Sequence, residues 1–129
     1  MRFRDKVAFV TGASSGIGRA CALRFQEEDA AVFAVARREE RLRGTVENYA
    51  VADVRDEGQV RAAVKRCVEG LGRIDYLINA AGVIGTGGVL DTPPEEWERL
   101  FSINVDGIYH ITRHVAPHLI ERGGAIVNV

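Results

Sequence analysis

At 129 residues with 47% apolar content, the chain has the size of one domain with one core spanning 1–129, and nothing in that composition suggests disorder or a second module. A formal charge of −1 leaves no basic field for nucleic acid or acidic lipid. The opening MRFRDK is too charged for a signal peptide, and the longest apolar run, Ala30 to Ala36, is far too short to cross a bilayer. A soluble, cytoplasmic protein with neither nucleic-acid nor membrane partners is therefore expected. Cys21 and Cys67 lie far apart with no CxxC, which favours buried free thiols over a metal site or a disulfide framework.

In chain order, VAFV (Val7 to Val10) is a short β-type run, followed by a glycine-rich turn and a helical pattern from Ile17 to Glu28. AVFAVA (Ala31 to Ala36) is a second strand, and its continuous apolar character suits a sheet covered on both faces. The charged stretch from Arg37 to Glu47 is short for a full helix and has room for a turn or two. NYAVADV (Asn48 to Val54) supplies a third strand, and Asp56 with Gln59 reads as a capping pair opening a helix to about Leu71. IDYLINAAG (Ile74 to Gly82) is a fourth. Beyond a glycine-rich loop, Thr92-Pro93-Pro94-Glu95 predicts an N-cap Thr, a Pro at the first helical position and a Glu at the third. That helix is expected to run to about Arg122 with a kink near Pro117, before a fifth strand in AIVNV (Ala125 to Val129). Strands alternating with helical connections predict right-handed βαβ units, hence an α/β doubly wound parallel sheet, a Rossmann-type fold.

The first turn carries the most chemistry. TGASSGIG (Thr11 to Gly18) sits between a strand and a helix and has the spacing GxxxGxG. Glycines allow close backbone approach, and the helix N-terminus offers unpaired N–H groups to a pyrophosphate. Gly12, Ser14, Ser15, Gly16, Ile17 and Gly18 are thus candidate cofactor contacts, the alternative being an ordinary glycine turn. At the end of the second strand a carboxylate would bind a ribose 2′-OH, but Ala36 is followed by Arg37 and Arg38, whose guanidinium groups suit a 2′-phosphate, the alternative being a solvated basic helix start.

Two patterns on the long helix compete for attention. Tyr109 and Arg113 have Tyr-x-x-x-basic spacing, but Arg is effectively always charged, which favours a surface or packing role. Asp106, His110, His114 and His118 form a stripe at helical spacing; Pro117 breaks its regularity, and an interface or solvated face is favoured over a metal site.

The ordered motifs resemble the classical short-chain dehydrogenase/reductase family. They are TGxxxGIG at Thr11 to Gly18, Asp53-Val54 after the third strand, NAAG at Asn79 to Gly82, Asn104 in INVDG, and GGAIVNV as the fifth strand. The resemblance covers essentially the whole chain and implies an oxidoreductase moving hydride between NADP(H) and a carbonyl or alcohol substrate. Arg37 occupies the position that commonly selects NADP(H) over NAD(H). By the same resemblance Asp53 caps the adenine amino group, Val54 lies beside the ring, and Asn79, Ala80, Ala81 and Gly82 pass under the ribose. Of the family's catalytic Ser, Tyr, Lys and Asn, only Asn104, which supports a water in the proton relay, falls within the chain. The resemblance therefore implies a cofactor-binding half ending in a cut at Val129, inactive alone and drawn from a homodimer or homotetramer. The alternative is a non-catalytic dinucleotide-binding module. The family pattern departs at Asp29, which stands where a glycine commonly caps the first helix.

Overall fold

Alternate residues of the first strand face opposite ways, and both faces are buried. Val7 and Phe9 enter one apolar cluster, while Ala8 and Val10 enter another. This two-sided burial is what a central parallel strand requires. The computed structural model describes residues 2–129. Its strands are β1 (Val7–Thr11), β2 (Ala31–Ala36), β3 (Asn48–Val51), β4 (Tyr76–Asn79) and β5 (Ala125–Asn128). All pair in parallel in the order β3-β2-β1-β4-β5. The chain thus moves outward from β1 to β3 and then crosses back to β4, so the direction of winding reverses between β1 and β4. Ligand crevices open at the carboxyl ends of strands at such a reversal.

One face is covered by α3 (Glu57–Leu71) and α5 (Gly107–Arg122), whose Val60, Val64, Cys67, Ile111, Val115 and Leu119 pack on Phe9, Phe33 and Leu77. The other carries α1 (Gly16–Glu27) and the single turn α2 (Glu39–Leu42). Small residues dominate there: Ala8, Ala22 and Ala34 are fully buried and let α1 approach the sheet closely.

Several boundaries follow the sequence directly. Asp56 caps α3 by accepting the Gln59 N–H at 3.1 Å, and β2 runs over Ala31–Ala36. Others differ. β3 ends at Val51, because the main chain at Asp53 leaves the sheet to bond Gln59 and Asp56. β4 covers Tyr76–Asn79, and just before it Asp75 still bonds both neighbouring strands through its main chain, its N–H donating to the Val7 carbonyl at 2.9 Å and its carbonyl accepting the Ala125 N–H at 3.1 Å, while its carboxylate accepts the Val7 N–H at 2.9 Å and a fork from Arg73 at 2.8 and 2.6 Å. Burial works against that carboxylate, yet the Arg73 guanidinium and the Val7 N–H together hold its pKa below the ordinary carboxylate value.

The expected long helix is divided, though not at Pro117. α4 (Pro94–Phe101) passes into a widened turn at Ser102–Asp106, where the Gly107 N–H donates to the Ser102 carbonyl five residues back, and α5 then continues through Pro117 to Arg122. Nor does Thr92 cap α4. Pro93 stands at that position, and the Thr92 hydroxyl instead donates to the Gly88 carbonyl at 2.9 Å, closing the short turn Val89–Asp91. Asp29 does take the left-handed conformation, at φ 67°.

Candidate functional site

The turn between β1 and α1 is held against the end of β4 by contacts that leave no spare room. Gly12 has φ 63°, and a Cβ on it would stand 2.5 Å from the Ala80 carbonyl oxygen; a Cβ on Gly18 would collide with the Gly12 carbonyl. Beneath them Thr11, 1% exposed, accepts the N–H groups of Ala80 and Ala81 through its Oγ1, both at 3.2 Å. The glycines permit the approach and the threonine locks it. The spacing of the sequence gives away the glycines, but Thr11 appears there only as the first residue of the TGASSGIG turn, with no role of its own.

These contacts leave a cleft of about 500 Å³ across the carboxyl ends of β1, β2 and β4. The cleft gathers Gly12, Ser14, Ser15, Gly16 and Ile17 from the first turn, Arg37 and Arg38 from the end of β2, Asp53 and Val54 after β3, and Ala80, Ala81 and Gly82 after β4. Two candidates stand behind it. Gly18 is buried against Gly12, and Asn79 is 2% exposed and turned toward β5 and α5, donating to Asn128 Oδ1 at 2.8 Å and Thr112 Oγ1 at 3.3 Å. Apolar lining from Val83, Ile84 and Ile103 was not legible from motif spacing, because those residues come from a loop and a helix break.

The electrostatics run along the cleft. At one wall, α1 has no acidic residue in its first turn, and the Ser15 hydroxyl makes no capping bond, so the positive end of the helix faces the cleft uncompensated. Arg37 and Arg38 are exposed, and among the described residues neither is ion-paired. Asp53 is the acid of the lining. Arg55 holds it through Nε and Nη2, the shortest contact being 2.6 Å, and this guanidinium keeps its carboxyl below the ordinary range, with a smaller contribution from Arg37. The arrangement can take an elongated, polyanionic ligand with one flat apolar group, which fits a dinucleotide.

Asn104 does not line this cleft; it braces it. Its Oδ1 accepts the Val83 N–H at 2.9 Å, and its Nδ2 donates to the Val83 carbonyl at 2.8 Å, which fixes the loop leaving β4. Tyr109 and Arg113 lie on the helix surface, where the guanidinium donates to the phenol oxygen at 2.8 Å and Tyr109 is 58% exposed. The histidine stripe divides. His110 bonds the Val54 carbonyl and His114 pairs with Glu57 of α3, so both are turned to a neighbouring element rather than to water. Among the described residues no three acids, histidines or cysteines converge as a metal site would need.

Comparison with known proteins agrees with this geometry. The family model described as short chain dehydrogenase matches residues 6–129. The chain is 36% identical to the 3-oxoacyl-[acyl-carrier-protein] reductase FabG of Thermotoga maritima, covering all of this chain and 56% of that protein. It is 41% identical to the 2-(R)-hydroxypropyl-CoM dehydrogenase of Xanthobacter autotrophicus, covering 97% and 56%. Among solved structures, ligand-free aldohexose dehydrogenase from Thermoplasma acidophilum superposes with a TM-score of 0.91 at 34% identity, over 98% of this chain and 49% of that one. Actinorhodin polyketide ketoreductase, solved with NADPH, gives 0.88 at 38% identity over 95% and 52%. The chain spans about half the length of the curated relatives it matches. The fold, the glycine turn and these matches place the chain in the short-chain dehydrogenase/reductase family of oxidoreductases.

Proposed function

We propose that this domain binds NADP(H), in preference to NAD(H), as the cofactor half of an enzyme interconverting a carbonyl and an alcohol on a small-molecule substrate. The observation that carries the reading is the end of β2, where two exposed, unpaired arginines, Arg37 and Arg38, stand at the cleft in place of a carboxylate. A guanidinium there pairs with a 2′-phosphate, whereas a carboxylate would repel it. The ketoreductase solved with NADPH supports the same choice.

In this reading Gly12 and Ser14 to Ile17 hold the pyrophosphate, Asp53 and Val54 hold the adenine, and Ala80 to Gly82 pass under the ribose, with Gly18 acting from behind by its packing on Gly12 and Asn79 by fixing β4 to β5. The bound dinucleotide supplies or accepts hydride at its nicotinamide ring. Asn104 keeps the loop over that end of the cleft in place and belongs to the proton relay, whose Ser, Tyr and Lys lie outside these 129 residues. The protein acts in the cytoplasm; among the described residues no helix is long and apolar enough to cross a membrane. Trp97, Phe101, Val105 and Tyr109, all exposed at four-residue intervals, support assembly as a homodimer or homotetramer.

The test is titration of NADPH and NADH by calorimetry. Loss of one charge-assisted phosphate contact predicts that Arg37→Ala weakens NADPH by about tenfold or more while NADH stays within about twofold. Equal losses for both cofactors would refute the 2′-phosphate assignment.

A further inference from the structure

The segment Ala52 to Asp56, which turns β3 into α3, forms the Asp53-Val54 wall of the cleft. Most of its polar groups are satisfied locally. The Asp53 N–H donates to Gln59 Oε1 at 2.9 Å, the Asp56 N–H to the Asp53 carbonyl at 3.0 Å, and the Arg55 N–H to Asp53 Oδ1 at 3.0 Å. The Val54 carbonyl is held differently. Its partner is His110 Nδ1 of α5, at 2.8 Å and 56 residues away in sequence. A carbonyl oxygen only accepts, so Nδ1 carries the proton. Gly107, one turn earlier on α5, closes on the same residue from the side: a Cβ there would stand 2.6 Å from Val54 Cγ2. Val54, 8% exposed, is thus gripped by α5 at both its side chain and its carbonyl.

We propose that His110 is a positioning residue for the adenosine end of the dinucleotide: by holding the Val54 carbonyl it fixes the wall on which the purine packs. The inference rests on the NADP(H) reading above and extends it from the residues of the cleft to a helix that does not line it. Rotation of the Val54–Arg55 peptide would move the Val54 side chain and, through the Arg55 N–H on the same peptide that donates to Asp53 Oδ1, the Asp53 carboxylate as well. His114, one turn further along α5, provides an internal control. It joins α5 to α3 through Glu57 at 3.0 Å, but neither it nor Glu57 lines the cleft.

The experiment titrates the protein with 2′,5′-ADP, which carries the adenosine end, and with NMN, which carries the nicotinamide end, using calorimetry and NMR respectively. His110→Phe keeps the ring volume and removes the donor; His110→Asn places an N–H at the same branch from Cγ; His110→Ala removes both ring and donor. Loss of one partly buried hydrogen bond predicts that His110→Phe and His110→Ala weaken 2′,5′-ADP by about five- to tenfold, with NMN within about twofold. His110→Asn restores most of the loss, and His114→Ala leaves 2′,5′-ADP binding unchanged. Unchanged 2′,5′-ADP affinity in His110→Phe overturns the proposal, as do equal losses for both fragments, which would mark a general structural role. A wild-type protein that binds neither 2′,5′-ADP nor NADPH would refute the cofactor reading itself, and the positioning role with it. Should His110→Ala fail to show a cooperative urea transition, the comparison of Phe with Asn decides.

Discussion

Replacing Thr11 by Val is the sharpest test of how the cleft is built. The two side chains have nearly the same shape, and Thr11 is 1% exposed, so the substitution deletes an acceptor without opening a cavity. What it strands are the N–H groups of Ala80 and Ala81, each 3.2 Å from the hydroxyl oxygen. An unsatisfied buried donor costs about 1–3 kcal/mol. Both alanines are only half-buried, so water reaches part of the gap and the lower end of that range applies. Two such donors give a loss of about 2–3 kcal/mol, which at an ordinary urea slope moves the midpoint down by roughly 1–2 M. Thr11→Ser keeps the oxygen and loses one methyl, at a cost of about 1 kcal/mol. Urea unfolding followed by circular dichroism reads both, and NADPH titration of the same samples reads whether the Ala80-Ala81 turn has moved. If Val is tolerated as well as Ser, the hydroxyl is not what joins β1 to the end of β4.

Gly12→Ala puts a Cβ into the Ala80 carbonyl at a left-handed backbone, so NADPH affinity should fall by more than about tenfold; near-normal titration would show that the turn has slack. Asp75→Asn removes a carboxylate whose pKa is lower in the folded chain than in the unfolded one. The wild-type contribution is therefore present above the ordinary carboxylate value and lost as pH falls through the folded one, so urea midpoints measured between pH 7 and 3 should fall less steeply for the variant. A variant with the same acid limb as wild type would mean that other carboxylates dominate it. Burial pushes the Cys67 thiol up to about 12, whereas Cys21 is half-buried; native protein should thus react with Ellman's reagent at one thiol, Cys67 following only on unfolding. Two fast thiols would contradict the packing of α3.

Much of this architecture could be read from local signals. Short apolar runs located the strands, Asp56 with Gln59 announced α3, and the GxxxGxG spacing together with Arg37 and Arg38 marked residues that, Gly18 apart, the fold brings to one cleft. What escaped was whatever depends on partners distant in sequence. Thr11 finds its N–H groups about seventy residues on, and Asn104 finds Val83 across a loop. The Thr92 boundary error is of a related kind: the residue has the right chemistry for a cap, but its hydroxyl donates to the Gly88 carbonyl and Pro93 takes the cap position. For the histidines, spacing alone cannot say which face of a helix meets another element.

The widened turn at Ser102–Asp106 sets a phase. A regular helix advances about 100° per residue, so one residue beyond the regular count turns everything after it by that angle relative to everything before. Downstream, this rotation aims Ile111, Val115 and Leu119 at the sheet and His110 at Val54, while upstream Trp97 and Phe101 stay stacked at 4.6 Å on an exposed face. Removing a single residue here would restore regular hydrogen bonding and yet turn α5 a quarter of the way round its axis, carrying its apolar stripe off the core. At the exposed positions of this segment, Val105 and Asp106, the chain should therefore accept side-chain substitutions far more readily than any change in its length.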